Sequence, residues 1–243
     1  MVLTGTNLGA WGADSSNDYP SSKFVDLVEL ILSKTTIPRL RISSLGVEFC
    51  DDRMIGLFRQ SRINAYVHIS IQSGSDKILK SMNRHYDRAK LIEVLSKFRS
   101  LERQDGLLLN IGADLIVGFP GETDADFADT LDIVREFGIT QLHTFPFSPH
   151  KDHYSIPAGG FPEQVLEREK DRRLAELSQV GEEVKAEFLT KNAWKILHVL
   201  VERLDGASFQ GWSENYIECT EVNFRIADGV KMERGGVCEG KYL

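Results

Sequence analysis

Cysteine is scarce in this chain. The 243 residues hold three, Cys50, Cys219 and Cys238, too few and too scattered for a disulfide framework and without the close spacing of metal ligands, so reduced structural thiols are the expectation. Basic residues are not in excess either: Lys and Arg number 29 against 36 Asp and Glu, a formal charge of -7. That excludes a whole-chain basic footprint for nucleic acid and leaves any RNA contact to local patches. No apolar run approaches the roughly twenty residues of a membrane span, and the polar, glycine-rich start is unlike a signal peptide. A cytoplasmic protein without membrane contact is expected. Internal repeats and low-complexity tracts are also absent. What remains is a chain 42% hydrophobic, long enough to bury one large core with a small appendage.

Strands and helices alternate from the first residues. VLTG reads as a short strand running into a polar loop, and Phe24, Leu27, Val28, Ile31 and Leu32 mark a helix closed by Pro38. A strand is predicted over about 39–43. Asp51 and Asp52 open a helix carrying Met54, Ile55, Leu57 and Phe58, the strand AYVHISI follows, and Asp76 caps a short helix before a longer one over 88–101. The stretch GADLIVGFPGETDADF joins an apolar strand to an acidic helix through Gly118, Pro120 and Gly121, with Thr123 as N-cap and Asp126 in the capping-box position. TQLHTFPFS is a further strand. Five strands separated by helices predict a parallel sheet, open or curled toward a barrel, and ligands of such folds bind at the carboxyl ends of the strands.

From Pro162 the chain turns charge-rich, with Val165, Leu166, Leu174, Leu177, Val180, Val184 and Phe188 spaced for a long surface helix. Beyond it, 196–201, 216–219 and 222–226 read as short strands of a small β domain. Its last residues, GGVCEGKYL, are expected to end without the strands that would close a barrel.

Several predicted loops now match one family in order. LTGTNLGAWG, RISSL, HISIQSGSDKILKSMNRHY, DLIVGFPGET and LHTFPFSPH resemble the core of the radical S-adenosylmethionine methylthiotransferases, most of all the branch that modifies threonylcarbamoyladenosine beside the tRNA anticodon. VLVE followed by GWSENYIEC resembles the TRAM domain that ends those enzymes. The resemblance implies an α/β fold: a partial (βα)6 radical SAM TIM-like barrel over 1–160, a connecting helix over 161–190 and a TRAM-like β-barrel domain over 191–243, incomplete at its end. It implies a transferase that adds a methylthio group at C2 of the modified adenosine, with S-adenosylmethionine and two 4Fe-4S clusters as cofactors and tRNA as partner. In that scheme a 5′-deoxyadenosyl radical abstracts hydrogen from C2, and sulfur is inserted and then methylated.

By the same resemblance Thr4, Gly5 and Thr6 receive the methionine amino group, and Ser43 and Ser44 belong to the cofactor-binding set. Gln72, with Ser73 beside it, contacts ribose, Arg84 the methionine carboxylate and Asp114 the ribose hydroxyls, while Gly118, Pro120 and Gly121 pack under adenine. His143, Phe145, Phe147, Trp212 and Tyr216 face the substrate. Structural roles compete at each position. Gln72 and Ser73 can end a strand, Arg84 can be a solvated helix-end charge, and Asp114, embedded among apolar residues, needs partners in any case. Phe145, Phe147 and Pro149 can pack the last strand, and Trp212 and Tyr216 the small domain.

The family's C-x3-C-x2-C cluster motif and its amino-terminal domain have no counterpart in these residues. No catalytic or metal-ligating residue is therefore expected here, and the chain reads as the carboxyl-terminal portion of a larger enzyme, inactive without its missing segment. A second departure is Gly46, where the family usually has glutamate; Glu48 would have to reach back. The alternative targets are isopentenyladenosine in tRNA and an aspartate of a ribosomal protein. Another class of reading is a non-catalytic RNA-binding remnant using Lys191, Lys195, Arg203, Arg225, Lys231 and Arg234 of the tail.

Overall fold

The computed structural model describes residues 1–13, 23–148, 163–206 and 208–243. Five parallel strands follow one another in space as in sequence: β1 (Val2–Leu3), β2 (Arg41–Ile42), β3 (Tyr66–Gln72), β4 (Asn110–Val117) and β5 (Ile139–Pro146). β1 pairs with β2, and β3, β4 and β5 form one sheet. Parallel bridges from Leu40 to Ile63 and from Leu45 to Ile69 carry the neighbourhood of β2 across to β3. A strand order that never reverses is that of a barrel wall, because each right-handed crossover places its helix on the same outer side. Those helices are α1 (Phe24–Lys34), α2 (Asp52–Leu57), α3 (Asp76–Ser81), α4 (Arg88–Arg99) and α5 (Asp124–Glu136). Among the described residues β1 pairs only with β2 and β5 only with β4, so the curled sheet stays open.

Alternation explains which face is which. Ile111, Ala113, Leu115 and Val117 of β4 join the main core with Leu91, Val94, Leu95 and Phe98 of α4 and Phe127, Leu131 and Val134 of α5. Gly112 and Asp114, one residue out of phase, face the interior of the curl. Helix starts are set by side chains. Asp87 accepts the Lys90 N–H to cap α4 (2.8 Å), and Thr123 and Asp126 form the expected capping box of α5. Asp126 also accepts the Ser75 hydroxyl (2.6 Å) and the Lys77 ammonium (3.1 Å), which ties that cap to the loop after β3. Asp76 does not cap α3, whose N-cap position is Ser75; its carboxylate accepts the Arg88 N–H instead (2.6 Å) and joins the starts of α3 and α4.

The long helix, α6 (Glu167–Asn192), crosses β5 and α5 and buries Lys170, Arg173, Leu177, Val180, Val184 and Phe188. It leads into a separate antiparallel sheet of β6 (Ile196–Asp205), β7 (Ser208–Trp212), β8 (Glu218–Thr220), β9 (Phe224–Ile226) and β10 (Val237–Tyr242), in the order β8-β7-β6-β10-β9. The outermost strands β8 and β9 are consecutive and joined by 221–223, so this sheet curls on itself. Two of its strands differ from the sequence expectation. β7 falls between the first two predicted strands, where none was expected, and GGVCEGKYL, expected to add no closing strand, supplies β10 between β6 and β9. Gly240 hides that strand in the sequence. A Cβ there would lie 2.4 Å from the Arg225 carbonyl oxygen and 2.5 Å from the Phe224 ring, so the inward position has to be empty.

The small sheet meets the barrel through aromatic rings. Tyr216 stacks with Tyr66 (centroids 4.4 Å apart) and with Trp212 (4.5 Å), and the Arg41 guanidinium lies 4.2 Å from the Tyr216 centroid. The Asn110 side-chain amide donates to the Asn215 carbonyl (2.9 Å). Arg41, Tyr66 and Asn110 are the first residues of β2, β3 and β4. The small sheet therefore covers the amino-terminal end of the strands and leaves the carboxyl-end loops free.

Two expectations follow from these contacts. Tyr216→Ala should cost about 2–3 kcal/mol, the loss of a half-buried aromatic and its stacking, and should speed proteolysis near the junction; unchanged urea midpoint and protease resistance would show that the stack carries no docking energy. Burial pushes the Asp126 carboxyl up, but bonds from Ser75, Thr123 and Lys77 outweigh it and hold it at about 2. Being depressed in the fold, it stabilises fully above the unfolded value of about 3.9 and loses that contribution as pH falls toward the folded value. Asp126→Ala should thus lower stability by about 1–2 kcal/mol at neutral pH, with the deficit shrinking below pH ~4; a deficit that stays constant in acid would contradict this.

Candidate active site

The inner face of β3, β4 and β5 carries a polar cluster in register. His68 stands opposite Gly112, and Asp114 opposite His143. Asp114 Oδ1 lies 3.0 Å from His68 Nε2 and 3.4 Å from His143 Nδ1, while Oδ2 accepts the Ser70 hydroxyl at 3.1 Å. His68 Nδ1 lies 2.7 Å from the Tyr66 hydroxyl. With Asp114 ionised, His68 donates from Nε2, so its Nδ1 accepts from the phenol. Burial pushes the Asp114 carboxyl up, yet the hydrogen bond and charge of His68, then Ser70 and His143, hold it below the usual carboxylate value. Burial pushes the Tyr66 phenol up, keeping it a donor. Gly112 makes this possible. A Cβ there would sit 2.3 Å from the Tyr66 oxygen and 2.7 Å from His68 Nδ1. His68 is buried, whereas the His143 side chain is 60% exposed, so the cluster opens on its β5 side.

Around the carboxyl ends of the strands lie the residues singled out in the sequence. Thr4, Gly5 and Thr6 form an exposed loop after β1, and Ser43 and Ser44 are half-buried after β2. Gln72 ends β3 at a register shift, buried, with φ of 68°. Ser73 is fully buried, where its Oγ accepts the Ser75 N–H (3.2 Å) and lies 3.5 Å from the Thr130 hydroxyl, so it organises the loop. Arg84 is exposed in an open depression of about 510 Å³ shared with Asp76, Lys80, His85 and Asp87. Phe145 is exposed, but Phe147 is buried edge-on to Phe119, their centroids 4.9 Å apart. Trp212 and Tyr216 lie at the opposite end of the strands, where Tyr216 is engaged by Tyr66 and Arg41 and Trp212 stacks on Tyr216. Pro149 lies outside the described residues.

The turn after β4 is gripped by α6. Glu122 accepts the Gly118 N–H (2.7 Å) and is paired with buried Arg173 (2.8 Å), and Lys170 donates to the Phe147 carbonyl (2.8 Å). Gly118 takes a φ of +73°, and a Cβ on it would lie 2.4 Å from the Lys170 side chain. Both facts require glycine irrespective of any ligand. Buried Pro120 and half-buried Gly121 complete the turn, whose Gly121 carbonyl accepts the Lys77 ammonium (2.6 Å).

Glu48 does reach back to Gly46. The segment is not a strand, where residues two apart share a face, but a single 3-10 turn (Val47–Phe49). It places the Glu48 carboxylate oxygens 2.6 and 3.0 Å from where a Cβ of residue 46 would be. Among the described residues Glu48 Oε2 is buried without a hydrogen-bond partner. The three thiols are buried apart from this cluster; burial pushes Cys50 and Cys238 up and Cys219 up to about 12, which keeps them as thiols. Sequence reading named Asp114 and His143 but missed His68, Tyr66 and Ser70. Their signal was the alternation along AYVHISI, which puts all three on one face.

Comparison with known proteins identifies the family. The model of the Radical SAM superfamily matches residues 11–134. Threonylcarbamoyladenosine tRNA methylthiotransferase MtaB of Thermotoga maritima is 34% identical over 230 residues, 94% of this chain and 50% of that protein. MtaB of Treponema pallidum is 32% identical over 98% of this chain and 44% of that protein. A tRNA-2-methylthio-N(6)-dimethylallyladenosine synthase of Clostridium botulinum is 36% identical over 83% of this chain and 43% of that protein. The chain thus spans about half the length of these relatives. Coproporphyrinogen III oxidase (HemN) from Escherichia coli, a solved structure, aligns at a TM-score of 0.49 and 14% identity over 79% of this chain and 51% of that one. The chain belongs to the Radical SAM superfamily, and the relatives that cover most of its length are tRNA methylthiotransferases.

Proposed function

We propose that this chain is the cofactor- and substrate-facing portion of a tRNA methylthiotransferase that modifies C2 of N6-threonylcarbamoyladenosine beside the anticodon. One observation carries the reading: the loops bearing the motif blocks gather at the carboxyl ends of five parallel strands, the end that the small sheet leaves free. Between the two adenosines named by the relatives, the choice follows coverage. The MtaB alignments span 94% and 98% of the chain against 83% for the dimethylallyladenosine enzyme.

The residues present fit S-adenosylmethionine. Hydroxyls of Thr4, Thr6, Ser43 and Ser44, the Gln72 amide and the exposed Arg84 guanidinium offer the donors and acceptors that an amino acid and a ribose need. The unpartnered Glu48 oxygen, standing where residue 46 would project, supplies the negative charge that a sulfonium prefers. Gly118, Pro120 and Gly121 form the surface under adenine. When bound, S-adenosylmethionine provides the adenosyl and methyl groups of the chemistry. The chain's own share is binding and orientation, with His143 and Phe145 at the substrate side. Asp114 differs from the other expected contacts because both its oxygens are already engaged within the barrel. A 4Fe-4S cluster does not fit the described residues, whose three cysteines are buried in hydrophobic cores.

Two measurements test this. In the full-length enzyme, Arg84→Ala should weaken S-adenosylmethionine binding by roughly tenfold or more, the worth of one charge-assisted bond, without loss of folding because the side chain is exposed; unchanged affinity would remove Arg84 from the site. Mass spectrometry of tRNA nucleosides from a deletion strain should show loss of the methylthio group from threonylcarbamoyladenosine. Its loss from isopentenyladenosine instead would reassign the substrate, and intact methylthio groups on both would overturn the reading.

A further inference from the structure

We propose that His68, Asp114 and His143 bind one divalent transition-metal ion of the zinc, cobalt(II) or iron(II) class on the inner face of the barrel. Three observations carry this. The first is the donor set: two imidazole nitrogens and one carboxylate oxygen, from three adjacent strands, with ligand atoms all within 4.8 Å of one another. Ligands about 2.1 Å from a tetrahedral ion stand about 3.4 Å apart. Two of the separations are 3.0 and 3.4 Å already, and the third is within 4.8 Å. The second is the outer support. Metal-binding imidazoles usually hold their other nitrogen in a hydrogen bond, and His68 Nδ1 has Tyr66 at 2.7 Å, while the free Asp114 oxygen has Ser70 at 3.1 Å. The third is access: His143 is exposed, so the ion has an entry side and open positions for a further ligand.

Binding needs no net proton release from His68. Its Nε2 proton moves to Nδ1, which then donates to the Tyr66 oxygen, a hydroxyl able to take either role. No cysteine takes part, so the site is separate from any thiolate-held cluster. It also assigns Asp114 to a cation rather than to a ribose hydroxyl, and it stands or falls independently of methylthio transfer. A different histidine cluster provides the control. His198 lies 2.6 Å from Glu214 and 3.2 Å from Glu239, but the Arg39 guanidinium, 3.9 Å from Glu214, already neutralises that group.

The test is titration of the tag-free, chelator-treated 243-residue chain with cobalt(II), followed by its ligand-field absorption, and with zinc by calorimetry. One equivalent should bind, with the intense visible bands of a tetrahedral or five-coordinate ion. His143→Ala, at an exposed position, should weaken binding at least about tenfold, Tyr66→Phe should do so by about 10–100-fold through loss of support, and His198→Ala should change nothing. Absence of the bands, or wild-type affinity in His143→Ala, would overturn the proposal, as would loss of binding in His198→Ala alone.

Discussion

An ionised carboxylate in the interior of a strand bundle is tolerated only where donors surround it. Asp114 meets that condition with two donors from the neighbouring strand β3, the His68 ring and the Ser70 hydroxyl, and with the His143 ring of β5 3.4 Å away. The requirement fixes more than one side chain. A slip of β4 by a single residue would turn Asp114 into the layer of Leu95, Phe98 and Phe127 and bring Leu115 inward, so the polar rung and the apolar layer enforce the same register. Gly112 belongs to the same solution, since the Tyr66 to His68 hydrogen bond occupies the volume its side chain would take. The small sheet then depends on Tyr66 in turn, because Tyr216 stacks against that ring.

The two ends of the strands are built differently. At the amino-terminal end, Arg41, Tyr66 and Asn110 are engaged by Tyr216 and Asn215, so that end is covered by packing. At the carboxyl end, the loop after β4 is held from outside by α6 through the buried Glu122 and Arg173 pair. Such a pair contributes little net stability but is costly to break, so it acts as a fixture more than as a source of energy. A ligand at that end therefore meets a turn already shaped by the protein.

Local chemistry was legible in the sequence. The capping box of Thr123 and Asp126 spans four residues and needs no tertiary knowledge, and the strand, turn and helix order followed from periodicity. That Asp114 must have partners was also legible. Which partners was not, because His68 lies 46 residues away and the register joining them is a property of the folded sheet. Gly118 was read as making room for adenine, and the fold adds a demand of its own that the sequence did not show, since a Cβ there would strike the Lys170 side chain of α6. Trp212 and Tyr216 were weighed between RNA stacking and packing, and their rings are found against Tyr66 and each other. Strand β10 was lost to its glycine, which sequence patterns score as a turn and the sheet uses as a gap.

Gly46 and Glu48 show how a departure in sequence can preserve a feature in space. The 3-10 turn over Val47–Phe49 shortens the path between them, and the Glu48 carboxylate comes to lie where a side chain on residue 46 would begin. A glutamate at 46 and this placement of Glu48 exclude each other sterically, so glycine at 46 is what admits the carboxylate from 48. Its buried Oε2 has no hydrogen-bond partner among the described residues, an arrangement that costs free energy in the isolated chain. A fold keeps such a group only where something else compensates it, and its place in the turn that follows β2 puts that compensation on the carboxyl-end side of the barrel, the side left open by the small sheet.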